Sequence, residues 1–317
     1  MRIGILGTSD VAFRRFLPSL MKCDGAEYAG VASRTPEKAK PFLESFGGTI
    51  YESYDALIED PSIDAVYVPL PPALHYHWGR RVLLAGKHLL MEKPFASSGE
   101  EAGELLDLAQ QQGKIVHENY MFLYHEQLRA IHRMIQDGTL GDIRLYRMSF
   151  GFPKRSRNDF RYDRSLGGGA ILDCGGYPVR LALDLLGETA ELVQSSVGYT
   201  EGFDVDMYGS AVLVNQSGTT AQISYGMDNA YQCELEVWAS KATLRTNRIF
   251  TAGSDYVPKL NLKTSSEEYT VTLSPDDQFL HSIEQFIQKI NTGENRDLEL
   301  IRKQAKLVDD MRKGNKL

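Results

Sequence analysis

The sequence predicts an α/β domain with a doubly wound parallel sheet, followed by an α+β domain with a large, mostly antiparallel, open sheet. Three observations predict this. The first third alternates short β-rich runs with helically spaced apolar residues, the pattern of βαβ units. Beyond Tyr120 the chain turns to long runs of alternating polarity with few helices between them. The length, 317 residues, suits two domains of about 150 residues each. The boundary is placed at Tyr120, giving domains of residues 1–120 and 121–317.

In order, Ile3–Leu6 is the first strand, and Val11, Leu17 and Leu20 have helical spacing behind it. Tyr28–Ala32 is the second strand and Pro36–Phe46 the second helix. Asp64–Val68 is an apolar run rich in β-branched and aromatic residues, followed by a helix at Trp78–Ala85 and a strand at His88–Met91. Ser98 with Glu101 forms a capping box before Leu105, Leu106 and Leu108, and Ile115–His117 closes the parallel series. Glu126–Gln136 is a further helix. The alternating runs are Ile143–Phe150, Leu192–Tyr199, Tyr208–Val214, Thr220–Tyr225 and Cys233–Ala239, and helices at Gln278–Asn291 and Leu298–Arg312 end the chain. No Pro/Ser-rich linker separates the halves, so the domains are expected to pack directly, with the ligand crevice between them.

Composition excludes several classes. Apolar residues make up 42% and charged residues 24%, and no window approaches the roughly 18 apolar residues of a membrane span. A net charge of −7 argues against nucleic acid or an anionic membrane as partner. Met1–Gly7 has the character of a strand rather than a signal peptide. Cys23, Cys174 and Cys233 are odd in number and form no CxxC pair, which points to reduced thiols in a cytoplasmic protein. The one raised count is glycine, at 28.

The first strand runs into Gly7-Thr8-Ser9-Asp10-Val11-Ala12. A dinucleotide turn wants G-x-G-x-x-G/A: a tight turn, close backbone approach to pyrophosphate, then a small residue for helix–strand packing. Gly7 and Ala12 fit the first and third positions, and Ser9 replaces the middle glycine with a hydroxyl able to donate to phosphate. An ordinary tight turn is the bland alternative, and the βα context argues against it. The second strand ends Ser33-Arg34, with Lys38 one turn on and no carboxylate at the tip. An NAD site places an acid there, whereas Ser33, Arg34 and Lys38 suit a 2′-phosphate, so NADP is favoured over NAD. The proline loop Pro69-Leu70-Pro71 lies after a strand and is expected to line the nicotinamide half; His75 faces the cofactor or caps the next helix. His75 and His77 lack a third ligand nearby, so no metal is expected.

Glu92-Lys93-Pro94 places a lysine at the carboxyl end of a buried strand, where ligands bind. The run Gly167-Gly168-Gly169-Ala170 permits unusual dihedrals and close approach of a ligand. Asp173 and Tyr177, four apart, share a helix face, either as site residues or as an N-cap and a core aromatic. Between them and the sheet lies Lys154–Arg164, with Arg155, Arg157 and Arg161 interleaved with aromatics: a solvated loop, or a lid whose arginines meet phosphate.

In this order the Gly7 turn, Ser33-Arg34, the proline loop with His75, Glu92-Lys93-Pro94 and the Gly-Gly-Gly-Ala…Asp173…Tyr177 block resemble the Gfo/Idh/MocA oxidoreductase family over nearly the whole chain. The resemblance implies a Rossmann-like first domain. It implies a second domain that binds substrate and forms homo-dimers or homo-tetramers through its sheet. It places the catalytic lysine at Lys93, the aspartate at Asp173 and the general acid/base at Tyr177, with Thr8 and Glu92 among the cofactor contacts. Hydride would then pass between nicotinamide and a carbinol carbon while Tyr177 moves the proton. A tyrosine pKa near 10 needs lowering for that task, which a Lys93 ammonium supplies, and Asp173 orients Lys93 or holds a substrate hydroxyl. The lid order is similar to the nucleotide-sugar 3-ketoreductase branch, and also to the dihydrodiol and xylose dehydrogenases. The expected substrate is a sugar or nucleotide-sugar. The non-enzymatic alternative is a nucleotide-binding regulator on the same fold.

Overall fold

The computed structural model describes residues 1–295 and 297–316, and the chain divides into two compact units. The first is Met1–Tyr120 with Phe279–Ala305; the second is Met121–Gln278 with Lys306–Leu317. The expected continuous second domain, 121–317, thus loses the 279–305 segment to the first unit. The reason is burial: Ile301 is fully buried in the core of the parallel-sheet unit, and Leu298 and Ala305 pack against it.

In the first unit the strands are β1 (Arg2–Leu6), β2 (Glu27–Ala32), β3 (Thr49–Tyr51), β4 (Ala65–Val68), β5 (His88–Met91) and β6 (Val116–Glu118). Their order is β3-β2-β1-β4-β5-β6, and every pairing is parallel. The order reverses between β1 and β4, which opens a crevice at the carboxyl ends of those strands. The connecting helices are α1 (Leu17–Leu20), α2 (Pro36–Phe46), α3 (Tyr54–Glu59), α4 (His75–Leu84) and α5 (Gly99–Gln111). Strands β1 and β4 are almost wholly buried, so they are continuous apolar runs, as a sheet covered on both faces requires.

Local sequence accounts for the ends. α1 is preceded by a wide π-turn at Ala12–Phe16, so the expected Val11–Leu20 helix is helical but not uniformly α. Ser98 caps α5 by accepting from the Glu101 amide at 3.2 Å. The return arm of the capping box lands on the Ser97 amide, at 3.1 Å, rather than on that of Ser98. Short β3 and α3 carry too few residues to show a period and were not anticipated.

In the second unit, α6 (Glu126–Gln136) precedes β7 (Ile143–Gly151), and α7 (Gly176–Leu186) precedes β8 (Glu191–Tyr199). Next come β9 (Asp206–Val214), β10 (Thr220–Gly226), β11 (Gln232–Ala239), β12 (Thr243–Asn247), β13 (Lys259–Lys263), β14 (Glu268–Thr272) and the short β15 (Asn315–Lys316). They form one sheet in the order β14-β13-β12-β11-β7-β10-β9-β8-β15, antiparallel except at β7/β10 and β8/β15. Side chains alternate: Met207, Ala211 and Leu213 of β9 are buried while Tyr208 and Ser210 face out. That period of two made these strands legible in the sequence. The last two helices are α8 (Gln278–Thr292) and α9 (Leu298–Arg312).

Candidate active site

At the tip of β1, Gly7 has a φ of 92°, and its amide donates to the Ala32 carbonyl at 2.8 Å. A Cβ there would lie 2.6 Å from the end of the Leu70 side chain, so the turn is tight against the proline loop. The Ser9 hydroxyl accepts from the Ala12 amide at 3.2 Å. It caps the helix, which explains why a serine serves where the motif wants glycine. Ala12 is fully buried and packs helix on strand. Thr8 and Ser9 are half-buried.

At the tip of β2, Ser33 is buried and its hydroxyl accepts from the Thr35 amide at 3.2 Å. Arg34 and Lys38 are exposed there. The Arg34 guanidinium also acts on the hydroxyl of Tyr54, at the start of α3; burial pushes that phenol up and Arg34 opposes it. Tyr54 stacks edge-on against Trp78 at 4.8 Å. Sequence reasoning missed Tyr54, because it lies on the unanticipated α3.

His75 does not present itself to a ligand. It is fully buried, with Nδ1 2.7 Å from the Pro94 carbonyl and Nε2 2.7 Å from the Leu70 carbonyl. Its ring therefore sits between the proline loop and the Lys93-Pro94 turn, and its single N–H donates to one of the two carbonyls. Burial pushes its pKa down to about 4, against the upward pull of the two carbonyls, and the Lys93 charge adds to the downward push. Pro69 is buried, whereas Leu70 and Pro71 are half-buried.

Glu92 also faces inward rather than toward a cofactor. Its Oε1 accepts from Tyr67 Oη at 2.7 Å and from Asn119 Nδ2 at 2.6 Å; its Oε2 accepts from the Lys93 amide at 3.3 Å. Burial pushes its carboxyl above the usual range, and the Tyr67 and Asn119 bonds oppose the shift. Lys93 follows directly on β5 and is half-buried.

In the second unit, Tyr177 lies in the first turn of α7 and is 6% exposed, enough for its surroundings to be almost dry. Its ring packs edge-on against Phe150 at 5.0 Å and lies 5.8 Å from Phe250 and 6.0 Å from Phe122. One turn earlier, Asp173 sits in a π-turn, Ile171–Gly175, that leads into α7. Asp173 Oδ2 pairs with Arg161 Nε at 2.7 Å, and Arg161 Nη1 reaches Asp159 at 3.1 Å. Burial works against the Arg161 charge, but the two carboxylates outweigh it and hold its pKa above the ordinary value.

Arg161, expected at the substrate, is therefore engaged by this chain's own carboxylates. It ties the basic loop to the Asp173 turn. Arg155 and Arg157 stay exposed and lean on aromatics: Arg155 lies 5.1 Å over Phe152, and Arg157 lies 6.0 Å over Phe203. Phe203 is remote in sequence from the loop, and no local pattern announced it.

The Gly167–Gly169 run has a structural cause. Gly167 caps a short 3-10 turn in the left-handed region, with φ 80°. A Cβ on Gly168 would stand 2.5 Å from the Arg161 carbonyl oxygen, and one on Gly169 would strike the Asp206 carboxylate. The close approach is by the chain's own backbone and by half-buried Asp206, not by a ligand. Among the described residues, no three His, Cys, Asp or Glu side chains converge to hold a metal.

A doubly wound sheet whose first turn is a left-handed glycine, with a basic second-strand tip at its crevice, defines a dinucleotide-binding unit. The chain belongs to the GFO/IDH/MocA oxidoreductase family. Residues 1–120 match that family's NAD-binding Rossmann-fold model, and residues 128–245 match its C-terminal domain. A dTDP-3,4-didehydro-2,6-dideoxy-α-D-glucose 3-reductase from Actinomadura kijaniata is 40% identical over 99% of this chain and 95% of its own length. A D-xylose 1-dehydrogenase (NADP(+)) from Haloferax volcanii is 31% identical over 93% of this chain and 90% of its own. The crystal structure of a 3-ketoreductase from Actinomadura kijaniata, in complex with NADP and TDP-benzene, superposes with a TM-score of 0.96 at 39% identity, covering 100% of this chain and 98% of that one. This chain is thus an oxidoreductase.

Proposed function

We propose that the protein is an NADP-dependent reductase of a keto group on a nucleotide-linked deoxysugar, of the dTDP-3-ketosugar type. The observation that carries the reading is the setting of Tyr177: a phenol walled by Phe150, Phe122 and Phe250, one helical turn from a carboxylate whose charge is balanced by Arg161. A dry phenol is a proton donor that does not exchange freely with water.

The residues at the β1 and β2 tips fit the dinucleotide. Gly7 leaves room where a Cβ would crowd Leu70, Ser9 caps the helix that faces pyrophosphate, and Arg34 with Lys38 suits the 2′-phosphate. When bound, NADPH supplies the hydride that reduces the keto carbon. Tyr177 donates its proton to the developing alkoxide oxygen. Asp173, fixed by Arg161, holds a sugar hydroxyl, and the exposed Arg155 and Arg157 meet the diphosphate. Lys93 contributes a positive charge at the carboxyl end of β5.

Comparison supports the choice of Lys93 and Tyr177. The Actinomadura 3-ketoreductase has been crystallised with a lysine and with a tyrosine replaced, and these two lie 84 positions apart, the same separation as Lys93 and Tyr177.

The test is Tyr177→Phe, assayed by NADPH oxidation with a dTDP-3-ketosugar, and with D-xylose oxidation as a parallel assay. The expected result is a kcat lower by about 100-fold or more with NADPH affinity retained. Unchanged turnover would remove Tyr177 from the reaction. Wild-type turnover of xylose alone would replace the substrate.

A further inference from the structure

Beneath the Lys93 turn runs a line of buried polar side chains that the proposed reaction does not use. His117 is fully buried, and Asn119 and Ser282 are each 1% exposed. Such groups cost stability unless every one is bonded, and apolar residues would fill the same space at less risk. Here each is bonded to the next. Lys289 Nζ lies 3.0 Å from His117 Nδ1, and His117 Nε2 lies 2.9 Å from Ser282 Oγ. Ser282 Oγ donates to Asn119 Oδ1 at 2.8 Å, and Asn119 Nδ2 donates to Glu92 Oε1 at 2.6 Å.

The chemistry gives this line a direction. An ammonium only donates, so His117 Nδ1 accepts and its proton sits on Nε2. Nε2–H donates to Ser282, which leaves the serine proton for Asn119 and orients the amide with its NH2 toward Glu92. No bond along the line opposes its neighbours. The far end is also anchored, because Lys289 is paired with Asp297.

Secondary structure builds the line. His117 and Asn119 are two apart along β6 and the residue after it, so they face the same side. Ser282, Phe286 and Lys289 follow the i, i+4, i+7 spacing of one face of α8, and the Phe286 ring lies 5.8 Å from that of His117. At the near end, Glu92 receives Tyr67 of β4 and the Lys93 amide.

We propose that Asn119 and Ser282 are positioning residues for Lys93: with His117 they form a one-way hydrogen-bonded chain that anchors the Glu92 carboxyl, and through it the backbone of the Lys93 turn, to Lys289 on α8. This rests on the reading of Lys93 given above. α8, from the far end of the sequence, thereby fixes the position of a charge at the cofactor end of the sheet.

The test uses the full-length protein. Asn119→Asp removes the donor to Glu92 and sets a second carboxyl against it, and Ser282→Ala cuts the line at its middle. We expect kcat to fall by about 100-fold and about 10-fold respectively, with the NADPH dissociation constant, read by fluorescence titration, shifted by less than about two-fold. Ser282→Thr, which keeps the hydroxyl, should recover most of the loss. The 15N spectrum of His117 should show a bare Nδ1 in the wild type and loss of that fixed tautomer in Lys289→Met. Wild-type kcat in both cut variants overturns the proposal. So does a parallel fall of kcat and NADPH affinity, which would mark simple loosening, or a protonated Nδ1 in the wild type. Lys93→Ala separates the two readings. Full turnover there removes the role of Lys93, and with it any positioning of that role, whatever the His117 spectrum shows.

Discussion

A Cβ added at Gly7 would meet the tip of a leucine, whereas one added at Gly168 would meet the carbonyl oxygens of Arg161 and Asp163. A leucine tip can rotate away; two backbone oxygens held by turn hydrogen bonds to Gly168 and Gly169 cannot. Both regions stood out in the sequence as glycine signals beside candidate site residues, but they solve different problems. At Gly7 the backbone needs a left-handed φ so that the chain turns tightly at the carboxyl end of the central strand β1. At Gly168 it needs the absence of a side chain so that the basic loop can seat against the turn that carries Asp173. Glycine content alone does not separate a ligand cradle from a backbone seat; the neighbour that a Cβ would strike does.

The comparison can be pressed hardest at Gly168. Gly168→Ala should lower unfolding stability by about 3 kcal/mol in urea titration, because overpacking against backbone finds no relief. It should also free the Arg161–Asp173 pair, seen as faster proteolysis within Lys154–Arg164. Wild-type stability in that variant would mean the loop seats elsewhere. At Gly7 the expected loss is smaller, about 1–2 kcal/mol from the positive φ. Adding Leu70→Ala should relieve the crowding but leave the dihedral cost, so the double variant should bind NADPH better than Gly7→Ala and worse than the wild type. Equal binding by all three would show that the turn does not touch the cofactor.

The finest probe is pH. The His75 ring lies between the Leu70 and Pro94 carbonyls, behind the wall of the Gly7 turn, with its pKa depressed from 6.5 to about 4. The unfolded chain binds the proton more readily than the folded one between these values. The contribution of His75 to stability is therefore complete above about pH 6.5 and is lost progressively as pH falls toward 4. Thermal unfolding of the wild type against His75→Asn should converge as the pH is lowered through that window. Parallel curves would assign the acid sensitivity to another group.

Much of the fold was legible because period betrays it. β9 and β10 alternate over seven or more residues, and the βα series of the first unit repeats often enough to name the sheet. Three-residue β3, six-residue α3 and the five-residue strands β13 and β14 lay below what a period can show. At the candidate site the sequence marked Lys93, Asp173 and Tyr177 through the motifs around them. It did not show that Arg161 answers Asp173, or that His75 and Glu92 face inward. Those facts depend on partners at separations no local pattern spans: Leu70 and Pro94 for His75, Tyr67 and Asn119 for Glu92. The same holds for the membership of 279–305 in the first unit, which only the burial of Ile301 reveals.

That membership bears on how the protein is made. The parallel sheet is encoded by residues 1–120, yet Ser282 and Ile301, which complete its polar line and its apolar core, are made only after residues 121–278. A nascent chain carries β6 without the Ser282 hydroxyl that joins His117 to Asn119 until residues 121–278 have been made. The order of synthesis lets the nucleotide-binding unit begin folding before the second unit and close only after it, so the cofactor end of the sheet acquires its final form once α8 and α9 have followed residues 121–278.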